Sequence, residues 1–235
     1  MRVLKTNPIL KLEGVGVGYD SPIGFNWVIR GFSLVLWPGD KVALLGPSGV
    51  GKSSIALAIL GLLPENSRME GKIYFEGKLL SDKRLQKIRG TEIGIVFQQP
   101  HAYLNPLMTV EQIVTEVLQV KKNLPKVVAI EKARKVLFEV GLDRDSFKKY
   151  PFQLSGGMAQ RVAIAQTIAL EPKLLIGDEI TSSLDTDLRK EILKLVVKFI
   201  EKSNSAFLFI SHDEEAVNYV GCKTIKIDSH KGQRY

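Results

Sequence analysis

Apolar residues recur along this chain in two patterns, as short continuous or alternating runs and as longer stretches with helical spacing. The short runs predict strands at residues 9–19, 32–37, 41–45, 72–75, 93–97, 174–176 and 206–210. Helices are predicted at residues 53–63, 162–170 and 187–202. Strands that alternate with helices in this way are typical of an α/β core with a parallel sheet.

The apolar period becomes helical throughout residues 109–141, where two stripes follow one another. The first stripe consists of Val110, Ile113, Val114, Val117 and Leu118, and the second of Val128, Ala129, Ala133, Val136, Leu137 and Val140. This change predicts a helical insertion at about residues 99–156, which divides one domain (residues 1–235) into core segments 1–98 and 157–235.

Composition places the 235-residue chain among globular proteins, because 45% of its residues are hydrophobic and 25% are charged. A single cysteine, Cys222, excludes a disulfide framework and fits a reducing compartment. The longest apolar run, residues 55–63, is too short to span a bilayer. Residues 1–8 have no apolar segment behind them, so we expect no secretory signal and a cytoplasmic location.

The formal net charge of +8 raises the question of an anionic partner. Basic residues are concentrated at residues 68–89 and 121–135, but no aromatic residues are interleaved with them as in sites that stack on bases. We therefore expect no nucleic-acid partner. Solvated surface and proximity to acidic lipid headgroups both remain open interpretations.

A phosphate-binding motif follows the strand predicted at residues 41–45 and opens the next helix. It consists of Gly46, Pro47, Ser48, Gly49, Val50, Gly51, Lys52 and Ser53, and fits G-x-x-x-x-G-K-[ST]. The glycines let backbone N–H groups turn toward phosphate, Lys52 would reach the β- and γ-phosphates, and Ser53 would bind Mg²⁺. We include the next residue, Ser54, among the nucleotide-binding candidates.

Two further motifs carry candidate chemistry. The apolar strand at residues 174–176 is followed by Asp178, which suits Mg²⁺, and by Glu179, which suits the polarisation of an attacking water. Ser155, Gly156 and Gly157 precede a helix and offer a hydroxyl and free N–H groups to a second anion. Taken alone, Ser155 is equally well explained as a simple helix N-cap.

With these motifs in this order, the chain resembles the nucleotide-binding subunit of ATP-binding-cassette (ABC) transporters over essentially its whole length. The matching elements are the Walker A loop (46–53), the Q-loop Gln98, the signature motif (154–158), the Walker B strand (174–179), the D-loop (183–185) and the switch His212, with Tyr19 at the adenine-stacking position. The resemblance implies a P-loop (RecA-like) ATPase core of α/β class, with an antiparallel β subdomain and a helical insertion subdomain.

The resemblance also implies the roles of individual residues. Glu179, His212, Lys52 and Gln98 would act in catalysis, Ser53, Gln98 and Asp178 would hold Mg²⁺, and Tyr19, Ser155, Gly156, Gly157 and Asp185 would join the P-loop in binding ATP. Simpler interpretations remain for three of them, namely a helix-start residue for His212, a surface amide for Gln98 with Gln99 as the alternative, and core packing for Tyr19.

Three positions depart from the family pattern. Met158 replaces the glutamine that usually closes the signature, Ile180 replaces a proline, and Gly177 stands where alanine is common. None of these changes removes a functional group, so we expect a hydrolysing subunit rather than a binding-only regulatory cassette.

Finer similarity lies at residues 56–64, 87–94 and 98–113, which look like importers of peptides and nickel. This implies a second ABC ATPase subunit of the same or a different chain, two membrane permease subunits, and an indirect external solute-binding protein at the cytoplasmic face of the membrane. Only 23 residues follow His212, as in shorter nickel-type subunits or a truncated chain. An exporter cassette and a soluble cassette acting on DNA or the ribosome are the alternatives.

Overall fold

Two β-sheets form the framework of the protein, and the computed structural model describes residues 7–22, 24–182 and 184–228. The strands are β1 Leu10–Ser21, β2 Gly24–Leu36, β3 Lys41–Leu45, β4 Ser67–Phe75, β5 Lys78–Leu79, β6 Ile93–Val96, β7 Leu174–Asp178, β8 Ala206–Ser211 and β9 Lys223–Lys226. The α-helices are α1 Lys52–Leu60, α2 Asp82–Ile88, α3 Val110–Lys122, α4 Lys126–Glu139, α5 Gly156–Ile168, α6 Thr186–Ser203 and α7 Glu214–Val220. The D-loop residue Ser183 and both ends of the predicted domain lie outside the described residues.

The parallel sheet has the strand order β6-β7-β8-β3-β9, and its central strands are buried. Its strands run in the same direction, so their carboxyl ends lie along one edge, where α/β proteins bind ligands. The pairs at this edge are Val96 with Gly177, Asp178 with Ile210, and Leu45 with Ser211. The segments that leave β3, β6, β7 and β8 therefore meet there.

The antiparallel sheet has the order β2-β1-β4-β5 and packs on the parallel sheet through one apolar face. Leu10, Leu12, Val15 and Val17 of β1 are at most 1% exposed and join a core cluster that includes α1 residues such as Ile55. The antiparallel subdomain that the family resemblance implied is thus present beside the parallel core.

The helices α3 and α4 lie between β6 and α5 in the chain and pack against each other. Thr109 is the N-cap of α3 and forms a capping box with Gln112. The Gln112 side chain accepts from the Thr109 backbone N–H, and the Gln112 backbone N–H donates to the Thr109 hydroxyl. The other five members of the second apolar stripe are buried, but Val128 is 46% exposed and lies at the edge of the packed face. The insertion boundaries at residues 99 and 156 stay a prediction.

Several element boundaries differ from the sequence predictions. The strands β2 and β4 begin at Gly24 and Ser67, well before their predicted starts at residues 32 and 72. Their first residues lack an apolar pattern, but hydrogen bonds to β1 keep them in the sheet. The helix α1 ends at Leu60, since Gly61 adopts a left-handed conformation with φ 61°. β5, α2 and β9 were not predicted, and α7 was anticipated only through the helix-start interpretation of His212. No helix in the described ranges is both long and apolar enough to cross a bilayer.

Candidate active site

The phosphate-binding loop, residues 46–53, connects β3 to α1 and is shaped by its glycines. Gly49 and Gly51 have φ values of 85° and 97°, a region that side chains rarely adopt. A Cβ on Gly46 would lie 2.3 Å from the carbonyl oxygen of Ile227, so only glycine fits beside the segment that follows β9. The loop therefore follows the concave path that an anion site requires.

Lys52 occupies the interior of this loop and is only 5% exposed. Its Nζ donates to the carbonyl oxygens of Gly46 at 2.7 Å and Pro47 at 2.8 Å. Burial lowers the pKa of Lys52, while the nearby charges of Asp178 and Glu179 act in the opposite direction. Within the described residues, the hydrogen-bond partners of the ammonium group are thus two neutral carbonyls, which an incoming phosphate would outcompete.

Ser53 and Asp178 meet although 125 residues separate them in the chain. The Ser53 hydroxyl donates to Oδ1 of Asp178 at 3.0 Å. Burial raises the pKa of Asp178, and the hydrogen bond from Ser53 opposes that shift. A hydroxyl and a carboxylate side by side form the oxygen donor set that Mg²⁺ prefers, so these residues fit the ion that the motifs imply.

Glu179 and His212 form the second pair of the site. His212 Nδ1 donates to the Glu179 carboxylate at 2.9 Å. Glu179 has a φ of 52°, and its backbone is fixed by bonds to Ile210 O at 3.0 Å and from the Ser182 hydroxyl at 3.0 Å. A left-handed conformation at a bulky residue is strained and is often found at functional sites.

Gln98 and Tyr19 lie beside these pairs with fewer contacts. Gln98 is exposed, two residues beyond the end of β6, and has no hydrogen bond among the described residues. The Tyr19 hydroxyl shares a 2.8 Å hydrogen bond with Ser54, and its ring packs partly on the core. Tyr19 is therefore anchored to the first turn of α1, an arrangement compatible with either interpretation of its role.

The signature segment is assembled separately. Ser155 caps α5 by accepting from Met158 N at 3.3 Å, and Asp185 caps α6 by accepting from Leu188 N at 2.9 Å. A Cβ on Gly157 would lie 2.3 Å from Leu188, so the two helix starts are in contact. In the described part of the chain, no hydrogen bond links Ser155–Gly157 or Asp185 to residues 46–54.

Comparison with known families decides what this arrangement belongs to. A family model described as "ABC transporter" matches residues 29–182, which is well over half of the chain. The chain belongs to the ABC transporter family. The resemblance inferred from the motifs is thereby confirmed.

Curated relatives of this ABC protein are named as transport ATP-binding proteins. The peptidoglycan transport ATP-binding protein YejF of Agrobacterium fabrum is 37% identical over 91% of this chain and 40% of its own length. The oligopeptide transport ATP-binding protein OppD is 36% identical in Haemophilus influenzae, over 88% of this chain and 66% of its own length. The Bacillus subtilis OppD is 37% identical, over 90% of this chain and 61% of its own length. The chain thus spans between two-fifths and two-thirds of these relatives.

Solved structures agree over nearly the whole length. The dimeric structure of MJ0796, a bacterial ABC transporter cassette, has a TM-score of 0.84 at 29% identity and covers 96% of this chain and 97% of that one. The cbiO1 protein from Clostridium perfringens, part of the transporter complex cbiONQ, has a TM-score of 0.79 at 30% identity, with 96% and 86% covered. These matches confirm the predicted fold class.

The departures from the ABC pattern have a structural explanation. A Cβ on Gly177 would lie 3.2 Å from both Ile180 Cδ1 and the Phe207 ring, so the larger Ile180 occupies space beside the missing methyl group. The Met158 side chain packs on the core, while its backbone N–H serves the Ser155 cap. All three departures are accommodated by packing, outside the polar groups of the site.

Motif analysis missed three residues near this ABC site, namely Ser182, Arg189 and Asp213. Ser182 fixes the Glu179 carbonyl, and Asp213 caps α7 by accepting from Ala216 N at 3.1 Å. The one available signal was the N-cap pattern of Asp213 before two glutamates. No local pattern pointed to Arg189, whose ion-pair partner Asp213 lies 24 residues further along the chain.

Proposed function

We propose that this chain is the ATP-hydrolysing subunit of an ABC importer for peptides. The observation that carries the proposal is the convergence of the Ser53–Asp178 and Glu179–His212 pairs beside buried Lys52, at the carboxyl edge of the parallel sheet. Phosphate binding, Mg²⁺ ligation and the orientation of a water have distinct groups there. No group of this set is replaced by an inert residue.

The residues of the loop bind the phosphates of ATP in this proposal. The backbone N–H groups of residues 46–53 surround the β-phosphate, and Lys52 exchanges its carbonyl partners for the β- and γ-phosphates. Ser53, Asp178 and Gln98 would hold Mg²⁺, which would supply neutralisation of the phosphate charge. Tyr19 stacks on the adenine, and its bond to Ser54 orients the ring.

Glu179 and His212 act on the other side of the γ-phosphate. The Glu179 carboxylate accepts a hydrogen bond from the attacking water and orients it. His212 keeps that carboxylate in place through Nδ1, and with a proton on both ring nitrogens it also donates from Nε2 to a γ-phosphate oxygen. The Glu179 side chain is 15% exposed and that of His212 is 53% exposed, so the pair is open to solvent on the histidine side.

A second ABC ATPase subunit completes the site. Among the described residues, no hydrogen bond joins Ser155, Gly156 or Asp185 to the phosphate loop of their own chain, and Ser155 and Gly156 are exposed. In the proposed assembly they face the nucleotide held by the partner, which is the same chain or a different one. The dimeric structures known for the MJ0796 cassette, one of them bound to ADP and Pi, support this arrangement.

The relatives support the transported substrate and the remaining partners. Several carry names for oligopeptide or dipeptide transport, which favours peptides over nickel. The likeness to cbiO1, part of the ABC transporter complex cbiONQ, supports membership of a transporter complex. The proposal adds two membrane permease subunits and a solute-binding protein that acts from outside. The chain would then lie peripherally at the cytoplasmic face of the membrane.

The proposal is tested by uptake measurements in a strain of the source organism that lacks this gene. Uptake of a labelled oligopeptide should be lost, restored by the wild-type gene, and not restored by the Glu179→Gln variant. If the deletion strain loses uptake of radioactive nickel but takes up peptide normally, the transported substrate is nickel rather than peptides. Normal uptake of both solutes would overturn the importer assignment.

A further inference from the structure

Arg189 lies in the first turn of α6 and reaches two segments that flank the site. Its Nη1 donates to Oδ2 of Asp213, and its Nη2 lies 3.5 Å from the carbonyl oxygen of Leu184. The side chains of Arg189 and Asp213 are 26% and 21% exposed, so water screens this ion pair less than a pair on the open surface.

Asp213 in turn fixes the backbone around His212. Its Oδ1 accepts from Ala216 N at 3.1 Å, and its own N–H donates to the Ser211 hydroxyl at 3.0 Å. His212 stands between Ser211 and Asp213, so these bonds hold the segment from which the imidazole reaches Glu179. The position of His212 therefore depends on Asp213, and the position of Asp213 depends on Arg189.

The first turn of α6 also touches the signature helix. Leu188 packs directly on Gly157, next to Arg189 in the chain. Residues 184–189 thus lie between the start of α5 and the loop that carries His212. In the proposed pair of subunits, a movement of the signature segment would reach His212 along this route.

We propose that Arg189 is a positioning residue for ATP hydrolysis, which holds His212 beside Glu179 through Asp213. It also connects that pair to the turn that begins α6 and contacts the signature helix. The inference rests on the proposed function, because it concerns the alignment of the same hydrolytic pair. Arg189 is directed at Asp213 and Leu184, so its effect passes through other residues rather than through direct contact with the nucleotide.

Steady-state kinetics provide the first test. Arg189→Met keeps the aliphatic stem without the donors, and Asp213→Asn keeps an oxygen to cap α7 but removes the charge. Each should lower kcat about 10-fold while the KM for ATP changes less than about two-fold. The double variant should be no slower than either single variant, because the two residues act as one unit.

Lys202→Met is the matched control, because it breaks an ion pair with Glu139 at the other end of the same helix. It should leave kcat unchanged. An unchanged kcat in both Arg189→Met and Asp213→Asn would overturn the proposal, as would an equal loss in Lys202→Met.

A His212→Ala background separates positioning from a general structural effect. If Arg189 acts through His212, adding Arg189→Met to His212→Ala should leave the residual turnover, followed with γ-labelled ATP, within about two-fold. A further 10-fold loss in that background would show that Arg189 acts by another route, and the proposal would fail.

NMR of the histidine side chains tests the same idea without turnover, since the chain has three histidines. The His212 imidazole signal should shift in Arg189→Met and should lie close to its wild-type position in Arg189→Lys. It should not shift in Lys202→Met, and the His101 signal serves as the internal reference. An unshifted His212 signal in Arg189→Met contradicts the proposal. If the wild-type chain hydrolyses no ATP, the proposed function fails while this measurement still decides the positioning.

Discussion

Glu179 shows at the residue scale how backbone and side chain together prepare a reactive group. Its left-handed φ of 52° turns the carboxylate away from the path of β7 and toward His212, and Ile210 and Ser182 hold that turn. A conformation that local sterics disfavour is thus maintained by a neighbour on β8 and by a serine three residues further along the chain.

The role of Glu179 predicts a selective loss in Glu179→Gln. The amide keeps the shape of the side chain but accepts hydrogen bonds from water less strongly, so kcat should fall on the order of 100-fold or more. ATP binding, measured by equilibrium titration, should be retained because residues 46–53 are untouched. Glu215→Gln, on the exposed side of α7, is the control and should hydrolyse ATP normally. Near-normal turnover in Glu179→Gln would remove this residue from the mechanism.

The substitution Asp178→Asn should affect stability and function in opposite directions. Burial raises the pKa of Asp178 in the folded protein above its value in the unfolded chain. The neutral carboxyl group therefore stabilises the fold fully below the unfolded pKa, and this stabilisation is lost as the pH rises through the folded pKa. Asp178→Asn stays neutral and still accepts from Ser53. At pH 7 without nucleotide it should therefore raise the Tm by about 1–3 °C, while Mg²⁺-dependent hydrolysis falls steeply.

Calorimetry of the nucleotide-free protein checks the stability of Asp178→Asn, with Asp187→Asn as the control. Asp187 is exposed in the first turn of α6, where its charge favours the helix, so its removal should give no gain. A lower Tm for Asp178→Asn would mean that the Asp178 charge stabilises the empty site.

At the scale of an element, the end of β7 shows how two departures from the family pattern, Gly177 and Ile180, pack together. Gly177 leaves room for Ile180 and for the ring of Phe207 on the neighbouring strand β8. The two substitutions that looked independent in the sequence are therefore one packing solution.

This packing predicts a coupled effect of two substitutions. Gly177→Ala should destabilise the protein by about 1–2 kcal/mol, because its methyl group would press on Ile180 and Phe207. Ile180→Val removes the contacting Cδ1 atom, so in the double variant the loss should be partly recovered. Urea unfolding of the single and double variants measures the coupling. Strictly additive losses would show that Ile180 does not respond to Gly177.

At the scale of the whole molecule, the phosphate loop and the signature segment form separate groups, each with its own contacts. The proposed function joins them only between two chains. ATP would then lie within the interface, and the removal of its γ-phosphate would release the pair.

The shared site predicts nucleotide-dependent association. The Glu179→Gln protein should be monomeric with ADP and dimeric with ATP, provided that the partner is a second copy, and Ser155→Arg should abolish the dimer by placing bulk against the opposite site. Ser203→Arg, at the exposed end of α6, is the matched control and should dimerise normally. Size-exclusion chromatography with light scattering decides the outcome, and an ATP-dependent dimer that survives Ser155→Arg would contradict the shared site.

The sequence by itself determined the α/β class, the order of the motifs and the chemistry that they suggest. These features are local, because a glycine-rich turn, an apolar strand or a helical stripe is encoded within a few consecutive residues. The strand at residues 41–45 was predicted with its observed bounds for this reason. Membership of the ABC family followed from the combination of such local signals.

Only the tertiary structure decided which groups meet and how they are held. The bond from Ser53 to Asp178, the fit of Gly46 against Ile227 and the link from Arg189 to Asp213 join residues that no local pattern connects. Short exposed strands such as β9 form because a paired neighbour supplies their hydrogen bonds, so their own residues carry little signal. Contacts between distant segments depend on the packing of the whole chain, which is the physical reason that the sequence named the residues of the site but not their partners.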